Sequence, residues 1–155
     1  MVGISGSGKT TYVRKEFPDH AYVSMDKLQK DQMWTAKRHN LIKRYEQERP
    51  LGERHPNSGN KKAECILVDD ALREGKDTVI DDTNLTQEIR RPYVLMARKY
   101  DANIRAVFFW DTRTARIRNA KRKGEDRVPK DAITGQMAKM ERPYEAEGFD
   151  SVDVI

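Results

Sequence analysis

At 155 residues the chain has the length of one domain; 37% hydrophobic residues suffice for a core, and 35% charged residues leave much of the surface solvated. No apolar run approaches about 18 residues, so no segment reads as a membrane span. The lone cysteine, Cys65, excludes an internal disulfide and fits a reducing cytoplasm, and the net charge of +5 favours an anionic partner.

The chain-order pattern alternates strand and helix, as in a parallel α/β sheet. A first strand of only Met1-Val2 feeds a Gly/Ser-rich turn, where a strand normally runs to about five residues. A helix is expected from Lys9 to Phe17, stopped by Pro18, then a short apolar strand at Ala21-Tyr22-Val23. Residues 26–48 read as one polar helix, and 49–60, with Pro50, Gly52, Pro56 and Gly59, as a loop connecting helices. A helix over 61–73 ends at Gly75, a residue suited to a C-terminal cap, and it carries Cys65 in an apolar stretch that reads as core. Thr78-Val79-Ile80 is the next strand. The helix over 87–99 has Thr86 as N-cap and Pro92 in its path, which predicts a bend or a later start. Ile104–Trp110 is the clearest strand; a basic helix over 114–123, a loop over 124–129, a helix over 131–140 and a last strand over 152–155 complete the chain. His20, His39 and His55 are scattered without metal-ligand spacing and read as surface residues.

Residues 3–10, Gly-Ile-Ser-Gly-Ser-Gly-Lys-Thr, match G-x-x-x-x-G-K-[ST], the phosphate-binding loop. The glycines let the backbone turn its N–H groups onto phosphate oxygens, and the following helix points its positive end at the same anion. Lys9 can reach the β- and γ-phosphates, and Thr10 offers a hydroxyl to Mg²⁺. The expected nucleotide-binding set is Gly3, Ser5, Gly6, Ser7, Gly8, Lys9, Thr10 and Thr11, with Thr10 as the metal-facing residue. The motif implies ATP or another NTP with Mg²⁺, and leaves the phosphate acceptor open.

Two acidic segments follow strands, at the carboxyl ends where parallel sheets bind ligands. Asp26, after Ser24-Met25, is placed to accept a proton from an attacking hydroxyl; the competing role is an N-cap aspartate. Asp81-Asp82-Thr83-Asn84 resembles a metal- or substrate-positioning segment, or equally a polar turn. Strand alternation predicts that only one of the two acids faces the nucleotide. The third signal is charge: residues 111–130 hold eight Lys/Arg against three acids. Arg118 and Arg122 share a helix face four residues apart, and Gly124 supplies a hinge for a lid over about 114–130. An ordinary solvated helix face is the plain alternative.

Ser24-Met25-Asp26-Lys27, Asp82-Thr83-Asn84-Leu85, Arg118-Asn119-Ala120-Lys121-Arg122 with Val128-Pro129, and Glu147-Gly148-Phe149-Asp150 together resemble the polynucleotide 5′-hydroxyl kinase family, over nearly the whole chain. The resemblance implies a three-layer P-loop NTPase fold, with a parallel sheet of about five strands flanked by helices and a helical lid. It implies transfer of the γ-phosphate of ATP to the 5′-hydroxyl end of DNA or RNA. In that scheme Lys9 holds the β/γ-phosphates, Asp26 is the general base, and Asp82 positions acceptor or metal water. Arg118 and Arg122 are lid arginines on the phosphates. The chain departs from the T4-type pattern at Gln29, where that enzyme has an acceptor-binding arginine; Lys27 or Lys30 are the available substitutes. No Asp-x-Asp-Gly-Thr segment is present, so no 3′-phosphatase activity is expected. A small-molecule P-loop kinase and a nucleotide-binding module without transfer are the other readings.

Overall fold

The computed structural model describes residues 1–52, 56 and 58–155. His55 and the centre of the expected 49–60 loop lie outside these residues. Among the described residues the order of elements is α1 (Lys9–Glu16), β1 (Ala21–Val23), α2 (Met25–Gln29), α3 (Trp34–Glu48), α4 (Gly59–Arg73), β2 (Thr78–Ile80), α5 (Gln87–Lys99), β3 (Arg105–Phe108), α6 (Thr112–Lys121), α7 (Lys130–Lys139) and β4 (Ser151–Val154). This is the expected α/β alternation.

The sheet is smaller than expected. Instead of about five strands there are two separate parallel pairs, β1–β2 and β3–β4. Between them lie Met1 and Val2. The Met1 ammonium donates to the Ile80 carbonyl at 2.8 Å, and Val2 exchanges 2.9 Å bonds with Val107 and Phe109. Val2 therefore makes an isolated bridge to Phe108, not a strand. Beside this bridge, the gap between β2 and β3 opens into a groove of about 300 Å³.

The expected 26–48 helix is divided. Asp31 interrupts it, because its carboxylate accepts from the Met33 amide at 2.9 Å, a local bond that competes with the helical one. Three other boundaries have plain causes. Gly75, at φ +70°, closes α4 with bonds from its own N–H to Leu72 and from Lys76 to Ala71. Thr86 caps α5 through Oγ1, which accepts from the Ile89 amide at 3.3 Å. That helix runs through Pro92, so the later start does not occur; the missing N–H deprives only Glu88, in the exposed first turn. Asp111 starts α6 two residues earlier than expected, since its carboxylate accepts from the Thr114 amide at 3.0 Å.

The main core gathers Val23, Tyr45, Cys65, Ile66, Val68, Tyr93 and Met96 from β1, α3, α4 and α5. Cys65 is fully buried, and burial pushes its thiol up to about 12. His39 is exposed as expected, whereas His20 is half-buried with its ring edge-on to Phe17. A second cluster is Ile4, Leu85, Ala115 and Ile133. It fastens the phosphate loop to α6 and α7, so the loop and the basic segment share one small apolar foundation. β1 and β2 run in register from Ala21–Thr78 to Val23–Ile80, and the Asp81 amide bonds Val23 one step beyond. The two acidic segments therefore emerge side by side.

Candidate functional site

Gly6 and Gly8 sit at φ +87° and +103°, where a side chain is strained. A Cβ on Gly6 would lie 2.5 Å from the Ala115 carbonyl, so α6 packs directly on the loop. Gly8 occupies the N-cap of α1 with no capping side chain, leaving the first amides of α1 for an anion. The Lys9 ammonium lies back on the loop, donating to the Gly3 and Ile4 carbonyls at 2.9 Å each. Burial lowers its pKa to about 8, against the opposing pull of Asp81, Asp26 and Asp82. Gln136 of α7 holds the loop from the other side, accepting from the Ser5 amide at 2.8 Å and donating to Ser5 Oγ at 3.1 Å. Nothing in the local sequence marks Gln136; it is 131 residues away.

Thr10 Oγ1 donates to Asp81 at 2.6 Å, and Tyr22 donates to the same oxygen at 2.6 Å. Asp81 is buried and absent from the expected site set. The alternation argument fails here because β2 ends at Ile80, so both acids reach the same cleft. Asp82 accepts from the Met25 amide at 3.1 Å and so anchors the start of α2. Behind Asp82 lies a group that sequence reasoning missed. Lys61 is 3.8 Å from Asp82 and bonds buried Glu64 at 2.6 Å and the Tyr93 hydroxyl. Burial raises Glu64 to about 7, Lys61 opposes the shift, and Asp82 reinforces it. The second Glu64 oxygen is buried without a partner.

Asp26 is exposed at the second position of α2, and Ser24 takes the N-cap, so Asp26 does not cap the helix. Its carboxylate lines the cleft that contains Lys9, Thr10, Asp81 and Asp82. Gln29 and Lys30 line that cleft too; Lys27 instead lies over the Tyr22 ring. Lys30 pairs with Asp126 at 2.9 Å, spanning from α2 to the segment after α6. Arg118 donates to the Ser7 carbonyl at 3.1 Å. Asn119, buried behind it, exchanges two bonds with Val128 and pins the intervening loop. Arg122 is exposed between two clefts and lines both.

These clefts flank the loop. The one holding Asp26 has a volume of about 680 Å³. The other, about 630 Å³, runs from Gly6–Gly8 and Thr11 past Arg118 to Tyr12, Phe109 and Ile155. Both suit a ligand of nucleotide size. No group of three His, Cys, Asp or Glu side chains among the described residues could hold a metal. The Thr10 hydroxyl and Asp81 carboxylate are hard oxygen donors, and they fit Mg²⁺, which takes few protein ligands and keeps waters and phosphates.

A family model described as an AAA domain, AAA_33, matches residues 1–146. The chain belongs to this family. It is a P-loop NTPase-like kinase family that includes polynucleotide kinase domains. Membership supports a P-loop phosphotransferase in general and implies nucleotide binding, typically with Mg²⁺. No curated protein matches the chain significantly. No helix among the described residues is long and apolar enough to cross a membrane.

Proposed function

We propose that the chain is an ATP-dependent polynucleotide 5′-hydroxyl kinase, acting on DNA or RNA ends. The observation that carries the reading is the single cleft shared by Asp26, Lys9, Thr10, Asp82 and Arg122. A carboxylate for the acceptor, a cradle for the donor phosphates and a positive charge beside them are what in-line phosphoryl transfer requires. The triphosphate lies on the amides of the loop and of the α1 start, with its base toward Tyr12, Phe109 and Ile155. Lys9 leaves the Gly3 and Ile4 carbonyls for the β/γ-phosphates. Thr10 and Asp81 would hold Mg²⁺, which supplies charge neutralisation of the phosphates when bound.

Asp26 accepts the proton of the 5′-hydroxyl, the acceptor oxygen bonds to the γ-phosphorus, and the β–γ bridging P–O bond breaks to release ADP. Asp82 orients the Asp26 helix through the Met25 amide. Arg118 and Arg122 stabilise charge on the phosphates, and the segment over about 114–130 closes as a lid whose contact with the nucleotide is confined to the face carrying these two arginines. Lys30 and Lys61 line the same cleft as Gln29, which stands at the place of the missing acceptor arginine.

The test is transfer of labelled γ-phosphate to a 5′-hydroxyl oligonucleotide, beside a panel of small alcohols. Asp26→Asn is expected to lower kcat by about 10²- to 10⁴-fold with little change in KM for ATP. Full transfer by Asp26→Asn refutes the assigned base. Labelling of a small alcohol in preference to the oligonucleotide refutes the acceptor class.

A further inference from the structure

Helix α6 presents three faces at 100° per residue. Ala115 and Asn119 are buried against the loop and the body. Thr114, Arg118 and the adjoining Arg122 line the nucleotide-sized cleft. The third face, Arg113, Arg116, Ile117 and Ala120, takes no part in the site above. It forms one wall of a separate groove of about 380 Å³, closed by Arg127, Val128, Lys130 and Ile133.

This groove has a distinctive chemistry. Four cations from three elements line it, and no carboxylate does. Arg113, Arg116, Arg127 and Lys130 are exposed, and their side chains make no ion pair or hydrogen bond among the described residues. Its floor is apolar, with Ile117 half exposed at 51%. Unpaired cations over an apolar floor suit a polyanion that also carries apolar faces, and sugar–phosphate backbones with bases have that composition. Val128 lines both this groove and the Asp26 cleft, so the two openings adjoin.

We infer that the groove between α6 and the start of α7 binds the phosphodiester backbone of the acceptor strand downstream of its 5′-hydroxyl. The inference rests on the kinase reading. It gives the basic segment two separate jobs: its inner face meets the donor phosphates and its outer face meets the acceptor polymer.

The experiment compares Arg113→Glu/Arg116→Glu and Arg127→Glu/Lys130→Glu with wild type. Acceptors are a 5′-hydroxyl dinucleotide and a single strand of about 16 nucleotides. KM for the long strand is expected to rise about tenfold in each double variant, while KM for the dinucleotide and for ATP stays within about twofold. By fluorescence anisotropy with the labelled long strand, the slope of log affinity against log salt becomes shallower by about 1.4, for two lost contacts at about 0.7 each. Thermal melts check folding, and two independent pairs guard against one local distortion. Wild-type affinity for the long strand in both double variants overturns the inference, as does an equal loss for the dinucleotide. Loss of polyglutamate binding with oligonucleotide binding intact also overturns it, in favour of an acidic protein partner. Wild-type protein that phosphorylates oligonucleotides while the variants behave normally sinks the groove alone. Wild-type protein that phosphorylates no oligonucleotide sinks the kinase reading and the groove together.

Discussion

The α3–α4–α5 body and the α6–α7 segment are both rich in cations, but they use them differently. In the body, Arg44 grips Asp70 and Glu48, Arg73 and Lys99 converge on buried Asp69, and Arg90 is sealed against Glu147. In the segment, Arg113, Arg116, Lys121, Lys123, Arg127 and Lys130 have no carboxylate partner among the described residues, and the hydrogen bonds of the Arg118 and Arg122 side chains go to backbone carbonyls. A cation whose charge is neutralised within the chain is part of the scaffold. One left unpaired beside a phosphate-binding loop is available to a ligand.

Four substitutions break or sharpen this contrast. Arg90→Met should cost the most stability, about 3–5 kcal/mol, because it strands Glu147 and frees the Asn84 and Glu141 carbonyls that Arg90 holds. A urea melt reads it, and a near-wild-type midpoint would mean that the body's pairs are not structural. Arg122→Ala should behave in the opposite way: an unchanged melting temperature, with kcat for phosphoryl transfer down by about 10²- to 10³-fold. Loss of both together would erase the distinction between the regions.

Gly6→Ala should lower stability by about 1–3 kcal/mol and impair nucleotide binding, since its Cβ would meet the Ala115 carbonyl where α6 rests on the loop. An unaffected melt would show that α6 can slide away from the loop freely. The smallest effect is a pH dependence in the body. Glu64 has a folded pKa of about 7 against 4.5, so the folded state holds more protons than the unfolded one between these values. Its burial therefore costs most above pH 7, and stability should fall as pH rises through that window. In Glu64→Gln this component of the pH profile should disappear, leaving a difference of a few degrees in melting temperature that shrinks toward pH 5. Parallel profiles for the two proteins would show that Glu64 is not the group responsible.

Much of the site was legible because its signals are local. The run from Gly3 to Thr10 carries its backbone geometry in its glycines, and Asp26 and Asp82 follow apolar strands by three and two residues. Helix periodicity put Arg118 and Arg122 on one face, and the same periodicity, applied once more, separates Arg113 and Arg116 onto another. Residue types alone did not reveal which face would be unpaired, because that depends on where every carboxylate of the body ends up.

By itself, then, the sequence determined the loop, the strand–helix alternation and the order of acidic and basic segments, all of which arise from neighbours within a turn or two. Only the tertiary structure decided that Asp81 is the partner of Thr10, that Gln136 holds Ser5, that Lys61 and Glu64 stand behind Asp82, and that the strands form two pairs rather than one sheet. The physical reason is range. The residues of each of these contacts lie far apart in the chain, and packing and hydrogen-bond satisfaction across the assembled fold choose among partners that local pattern leaves equivalent.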